Sequence, residues 1–427
     1  MSEALSKKIS VFSLVFLVTG IVFAYGLAVG SFKMWPYKTI ESAYSGMLSL
    51  VRYGQFIPSN RLVKAPKRAS RERFTVQQKD KVQEGYYIFM GYDGVKHQYG
   101  AWLMTDQGEE IHYWDLSYAP LDPDGPLNGV DSPHAFKVLP DGSILVSFDS
   151  GDVMARVDQC SQPVWTKSGV FHHSIEKGLD NTYWAWRGEN TAYAHYNYFT
   201  NFDPMTGETI AEFGLVEDVI KANNPPANIF SIRADHKFKH FDKTPADKIK
   251  YDIFHTNDID ILQPEIADKF EDFEAGDLLI SLRITHLVAV IDPKTYRVKW
   301  ARNGPWKYQH DPDFTDDGMI SVYSNNYGFG RSEIIKINPS TNELKNEFEQ
   351  GDFSFYSGAQ GKHQYLPNGN VLVIVPDEGR AVQVTSDGNK VFEHNNISNI
   401  SIEYNEHISN GMWVDKDYFE NIPQCNN

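Results

Sequence analysis

The chain has 427 residues, enough for one large domain or two to three ordinary ones, and its formal net charge is −16. An acidic chain repels phosphate backbones, which sets nucleic acid aside as a partner. Aromatic residues make up 14% of the sequence, a composition suited to sheets and far from disorder.

The first predicted element is a membrane anchor over residues 1–32. "KKISVFSLVFLVTGIVFAYGLAVGSF" opens with Lys7 and Lys8, and no charge follows from Ile9 to Phe32. About 20 apolar residues suffice to span a bilayer. A cleaved signal peptide would have a shorter apolar core, roughly 7–15 residues, and a small-residue cleavage site. Ala28-Val29-Gly30 matches such a site poorly. The anchor is therefore read as uncleaved, with Lys7 and Lys8 kept on the cytoplasmic side. The expected location is the bacterial inner membrane, single-pass, with the rest of the chain in the periplasm. Trp35 and Tyr37 suit the interfacial belt.

Residues 33–85 read as a linker with a short helix. "SAYSGMLSLVRYG" has helical apolar spacing, and the basic stretch "LVKAPKRASRERF" reads as a solvated connector.

From Tyr86 the texture changes to short β-rich runs separated by turns. One unit recurs six times: a β run, a polar turn, and a second run ending in an aromatic residue. The copies end at Trp114, Trp165, Phe213, Trp300, Phe348 and Phe392. Stretches such as "FDPMTGETIAEF" and "IDPKTYRVKW" carry hairpin turns between apolar runs. The copies are evenly spaced except between Asp203 and Asp292, where "GLVEDVIKANNPPANIFSIRADHKFKHFDKTPADKIKYD" reads as a polar, helix-prone insertion. A second unit precedes several copies, as in "HAFKVLPDGSILVSF" from His134 and "HDPDFTDDGMISVY" from His310. It reads as the inner hairpin of a four-stranded blade. The expected fold class is all-β: a six-bladed β-propeller over residues 86–427, preceded by a single N-terminal transmembrane helix. The run "GMWVDKDYF" is expected to return and complete the first blade.

In this frame His134, His173 and His310 share one register at the start of the innermost strands. In "FHTNDIDIL" Asn257 takes that register, and His255, two residues earlier, faces the same side. Arg283 ends the apolar run "GDLLISLR", an unusual place for an unpaired charge. His363 lies two residues past the register, on the same face. His172 and Asp311, each next to a register histidine, are expected to point away. Several histidines around one axis can ligate zinc or copper. A pocket that also holds Arg283 suits an oxyanion, phosphate or sulfate, better than a cation.

The run "FHTNDIDIL…GDLLISLR…VIDPKTYRVKW…QHDPDF" resembles the bacterial PAPS-independent arylsulfotransferase family. Its members carry His-x-Asn, Ser-x-Arg and Gln-His-Asp in this order. The strong resemblance covers about residues 250–320, and the repeats extend it over about 86–395. The resemblance implies a ping-pong transfer of a sulfuryl group from an aryl sulfate to a phenol through a sulfohistidine, with no metal, nucleotide or other cofactor. It makes His310 the nucleophile. His255 and Arg283 hold the sulfuryl oxygens, Asn257 supports them, and His173 serves as general base or oxyanion donor. His134 and His363 join as substrate-binding residues. The alternative reading is a non-catalytic, membrane-anchored scaffold or binding propeller. A quinone- or metal-dependent oxidoreductase would want carboxylate-rich sites at the shared register, and the sequence offers none there.

Two cysteines, Cys160 and Cys425, form no C-x-x-C pair, which argues against a structural zinc site. In an exported domain they can pair and tie the tail to the second blade.

Overall fold

The computed structural model describes residues 3–32, 34–37, 39–40, 43, 61–122, 132–148, 153–188, 196–222, 230, 252–348 and 351–425. The chain divides into two units, residues 1–62 and 63–427. In the first, Glu3–Phe32 forms one α-helix. Its segment Phe12–Phe32 is long and apolar enough to cross a membrane. The helix expected over "SAYSGMLSLVRYG" and most of the polar insertion lie outside the described residues; within the insertion, Leu215–Ile220 is helical.

The second unit is a six-bladed β-propeller of antiparallel sheets. Blade 2 runs from its inner strand Pro133–Val138 through Ile144–Phe148 and Val153–Val157 to Pro163–Ser168. Blades 3, 4 and 5 repeat this order from the inner strands Val170–Lys177, Thr256–Ile261 and His310–Phe314. Blade 1 takes its inner strand from the far end of the chain: Ile408–Val414 pairs with Tyr86–Asp93. The returning run therefore closes the ring as the sequence suggested.

Packing follows from strand periodicity. Successive side chains face opposite sides of a sheet, and a blade is covered on both sides, so its middle strands read as continuous apolar runs. In blade 4, Leu278, Ile280 and Leu282 pack toward blade 3, while Leu279 packs toward blade 5. Val288 and Val290 join Leu279, and Leu287, Ala289 and Ile291 face the other way. Each of the six blade-to-blade interfaces has its own buried apolar cluster. Each fully buried aliphatic side chain contributes roughly 1.5–3 kcal/mol. The recurring Asp or Asn of the outer hairpins folds the turn onto itself. Asp203, Asp292 and Asn338 each accept a backbone N–H two residues on, from Met205, Lys294 and Ser340 at 2.6, 2.8 and 3.0 Å.

The stretch read as a solvated connector is docked instead. Leu62–Lys64 pairs with Tyr404–Glu406, and Phe74–Val76 adds a fifth, outermost strand to blade 6, whose inner strand is Lys362–Tyr365. Ala65 and Ala69 are buried, and Arg68 pairs with the buried Glu378. The basic residues that suggested a solvated face are partly ion-pair donors to buried carboxylates. Cys160 and Cys425 form a disulfide with Cα atoms 5.4 Å apart, joining the tail to the outer hairpin of blade 2.

A feature of the inner strands positions the site. Those of blades 1 to 5 each carry a register shift near their start, between Ile408 and Asn410, Pro133 and Ala135, His172 and Ile175, Thr256 and Asp258, and His310 and Pro312. A bulge bends the strand and re-aims the side chains beside it. Left-handed backbone accompanies several of them, at His173 (φ 63°), His255 (φ 51°) and Asp311 (φ 50°).

Candidate active site

Five histidine rings gather at the bulged ends of these strands. The His173 ring centroid lies 3.8 Å from His172, 4.5 Å from His134, 5.1 Å from His255 and 6.1 Å from His310. His173 and His310 are each 5% exposed. His172 does not point away as expected: its ring lies 4.2 Å from that of His134. The bulge between His172 and Ile175 breaks strict alternation, so neighbouring residues face the same side.

Arg283 joins from the turn after the second strand of blade 4. Its backbone N–H donates to His255 O at 3.0 Å, and its guanidinium lies over the Tyr308 ring at 5.0 Å. One Nη donates to Gly358 O at 3.4 Å, and the buried Nε–H has no acceptor among the described residues. His255 is fixed from outside the cluster: Asp252 accepts from its backbone N–H at 2.8 Å and from its Nδ1 at 2.5 Å. Asn257 Nδ2 donates to Gln309 O at 2.7 Å, while its buried Oδ1 lacks a donor among the described residues.

The three short motifs are mechanically joined. The Gln309 side-chain amide donates to Ser281 Oγ at 3.0 Å, Leu282 O at 3.2 Å and Leu287 O at 3.0 Å. Gln309 thus clips blade 5 to blade 4 on either side of the turn that carries Arg283. On its other side, His310 Nδ1 lies 2.7 Å from Asn325 Oδ1. Asn325 follows the second strand of blade 5, Ile320–Ser324, as Arg283 follows Leu278–Leu282 in blade 4. Asp252 and Asn325 were not singled out in the sequence. Only the equivalence of "ISVYSN" to "LLISLR" hinted at Asn325, and Asp252 carried no repeat signal.

Asp311 points away from the rings as expected, but it is buried against partners. Its oxygens lie 2.6 Å from Lys362 Nζ and 2.8 Å from His363 Nδ1. Lys362 also meets Asp258 at 2.9 Å. These groups form a layer of buried charge one step along the axis from the histidines. The bulge at Asp311 turns its side chain onto blade 6, which explains why both members of His310-Asp311 are used. His363 belongs to this layer and not to the histidine cluster. Its Nδ1 donates to the Asp311 carboxylate, and its Nε2 lies 2.7 Å from Ser321 Oγ. Two steps of alternation past the register carried it away from the rings. Beyond this layer, at the far ends of the inner strands, a cavity of about 590 Å³ is lined by Glu176, Asp260, Asp311, Asp313, Lys362 and Tyr365 among others. Another of about 590 Å³ lies against the disulfide and holds none of these histidines.

Electrostatics separate the two layers. Burial, then the neighbouring His172, His134, His255 and His310, hold His173 well below the usual imidazole range. Burial, then the Arg283 guanidinium, hold His310 well below it too. In the second layer burial pushes Asp258 up to about 8 and Asp260 to about 7. Asp311 stays ionised: its carboxyl is depressed because Lys362 and His363 outweigh burial. Among the described residues, two groups have donor atoms close enough for a metal ion, His134–His172–His173 and Asp311–Asp313–His363, with atoms within 4.8 Å of one another. In the second, Lys362 already meets Asp311, and both ring nitrogens of His363 are engaged.

Residues 104–397 match the family model described as arylsulfotransferase (ASST). No curated protein is significantly similar in sequence. Among solved structures, a Bacteroides caccae protein of unknown function is 12% identical, with a TM-score of 0.48, over 77% of this chain and 99% of its own. A virginiamycin B lyase from Staphylococcus aureus is 10% identical, with a TM-score of 0.40, over 74% and 86%. These distant likenesses carry no argument about activity.

Proposed function

The chain belongs to the arylsulfotransferase family, and we propose that it moves a sulfuryl group from an aryl sulfate to a phenolic acceptor through a sulfated His310. The observation that carries this reading is the convergence of a neutral His310 with the under-satisfied Arg283 guanidinium, His255 and a neutral His173. In the first half-reaction a ring nitrogen of His310 attacks sulfur and the S–O bond to the aryl group breaks. The electron pair leaves on the phenolate oxygen, which takes a proton from water or a protonated neighbouring imidazole. In the second half-reaction the acceptor hydroxyl gives its proton to neutral His173 as its oxygen attacks sulfur. The N–S bond breaks, its electron pair returns to His310, and the aryl ester is released.

Sulfuryl transfer, like phosphoryl transfer, spreads charge over equatorial oxygens, so positioned cations and donors do most of the catalysis. Arg283 and His255 Nε2 are suited to that task. His255 Nδ1 is occupied by Asp252, which leaves the other nitrogen toward the cluster. Asn257 supports the pocket through Gln309, and His134 and His172 line it. His363 supports it indirectly through Asp311. We place the propeller on the periplasmic side of the inner membrane, tethered by Phe12–Phe32. The Cys160–Cys425 disulfide supports an oxidising compartment.

Incubation of the full-length protein with a chromogenic aryl sulfate, with and without added phenol, tests the reaction. Phenol-dependent release of the chromophore together with a sulfated acceptor supports it. Absence of any turnover over a panel of donors and acceptors would contradict it.

A further inference from the structure

Which nitrogen of His310 reacts is not given by its position alone. We infer that Asn325 is a positioning residue that fixes the tautomer of His310 and so selects Nε2 as the attacking atom. The inference rests on the sulfuryl-transfer reading for its chemical consequence, and on geometry alone for the tautomer.

The geometry is over-determined at Asn325, which is completely buried. Its side-chain amide nitrogen donates to two backbone carbonyls, Ser357 O at 2.9 Å and Gln360 O at 2.6 Å. Carbonyl oxygens only accept, so the amide cannot be flipped without placing oxygen against oxygen twice. Asn325 Oδ1 therefore faces His310 Nδ1 at 2.7 Å, and an oxygen there requires a hydrogen on Nδ1. A neutral imidazole has one N–H, so the lone pair is on Nε2. The opposite side of the ring agrees: the Gln360 backbone N–H points at Nε2 from 3.3 Å, a contact that needs an acceptor nitrogen and that gives way when the same lone pair attacks sulfur.

The surrounding loop holds this arrangement. Ser332 Oγ bridges Asn325 O at 3.0 Å and Ser357 O at 3.2 Å, and accepts from the Ser357 N–H at 3.0 Å. Gln360 has left-handed backbone, φ 57°, which aims its N–H at the ring. The two carbonyls that orient Asn325 and the N–H that greets Nε2 thus come from one short segment, residues 357–360. When Nε2 bonds to sulfur, Nδ1 keeps its proton and the ring becomes cationic. A neutral amide oxygen, unlike a carboxylate, stabilises that cation only modestly. The sulfuryl group therefore stays on a good leaving group. The Asn325 hydrogen bond favours the protonated ring, but burial and Arg283 outweigh it, so the resting imidazole stays unprotonated.

The test combines spectroscopy with kinetics on the full-length protein. Histidine labelled with ¹⁵N is observed in detergent by long-range proton–nitrogen correlation at pH 7.5, with the His310 signals assigned from their loss in His310→Ala. The wild type should show protonated Nδ1 and unprotonated Nε2. Asn325→Ala should shift the ring toward the other tautomer and slow adduct formation from an aryl sulfate by about 10²-fold or more, as loss of a tautomer-fixing partner does in other enzymes. Asn325→Asp should keep Nδ1 protonated but move the acid limb of the pH–rate profile to higher pH, because a carboxylate favours the charged ring. A wild-type ring protonated on Nε2 would overturn the inference. So would a folded Asn325→Ala with unchanged tautomer and rate, or an unshifted profile in Asn325→Asp. The tautomer measurement reads out even in a protein that transfers no sulfuryl group.

Discussion

Arg283 is half-buried, and its buried Nε–H lacks an acceptor among the described residues, so in the proposed reaction it is free to hold a sulfuryl oxygen. Arg283→Gln and His255→Ala should each slow transfer by about 10²–10³-fold, the usual cost of one oxyanion donor, with the far-ultraviolet spectrum and Tm little changed. The pH dependence carries a sign. Burial and then Arg283 depress His310, so the neutral nucleophile should persist at pH 6 and the acid limb of kcat/KM should lie well below 6.5. Removing the Arg283 charge should move that limb to higher pH. A limb that stays fixed in Arg283→Gln would show that the two groups do not interact. His310, His173, His255, Arg283 and Asn257 were legible from the sequence because register and motif order place them. His172 was not, because strict two-residue alternation fails at a bulge and no pattern of residue types marks where a bulge falls; His363 lies on an inner strand with no bulge, and its two residues past the register carry it away from the rings. Asp311 faces away from the rings as expected, but its partners Lys362 and His363 were not foreseen. Asp252 and Asn325 hydrogen-bond to histidines without sharing their register; the repeat hinted only at Asn325, and Asp252 is visible only in three dimensions.

At the scale of elements, the hairpin turns announced themselves through Asp-Pro-x-Thr and Asp-Gly, and apolar runs marked the strands between. The docked strap, Leu62–Val76, did not. Its arginines and lysines gave the composition of a solvated linker, and its partners lie some three hundred residues away, as in Arg68 with Glu378. The closing elements make two predictions. Truncation before Tyr404 removes the inner strand of blade 1 and with it Trp413 and Val414, which pack in two separate clusters; no cooperative unfolding transition should remain in that variant. Cys160→Ser opens the disulfide at the outer rim. It should lower stability by about 2–5 kcal/mol, the common cost for a long loop, with transfer by the folded protein unchanged. A large loss of turnover in folded Cys160→Ser would contradict a purely structural role.

Across the whole molecule the propeller sets a layer of neutral histidines beside Arg283 next to a carboxylate-rich layer, and the two shift in opposite directions. Asp258, raised to about 8, and Asp260, raised to about 7, bind protons in the folded state that the unfolded chain has already released near pH 4. Stability therefore falls as pH rises from about 4 up to these values, by up to about 1.4 kcal/mol per pH unit per proton, and is level beyond them. His310 and His173, depressed when folded, contribute the reverse: their neutral burial costs stability below the unfolded value near 6.5, so stability rises toward that pH. Below about pH 6.5 the two contributions oppose and offset each other, and above it only the fall remains, ending near pH 8. Tm recorded from pH 5 to 9 should decline between about 6.5 and 8 and then level off, and Asp260→Asn should make that decline shallower. A monotonic rise to pH 9 would contradict this assignment. Six repeats gave the blade count from sequence alone, because each repeat must bury its faces against its neighbours.

The central claim is that His310 carries the sulfuryl group. Intact-protein mass spectrometry after mixing with an aryl sulfate in the absence of acceptor tests it most directly, followed by peptide mapping under non-acidic conditions because an N–S bond is acid-labile. The account predicts one sulfuryl adduct, located on His310, discharged by added phenol and absent in His310→Ala. An adduct that persists in His310→Ala, or transfer that survives that substitution, would contradict it.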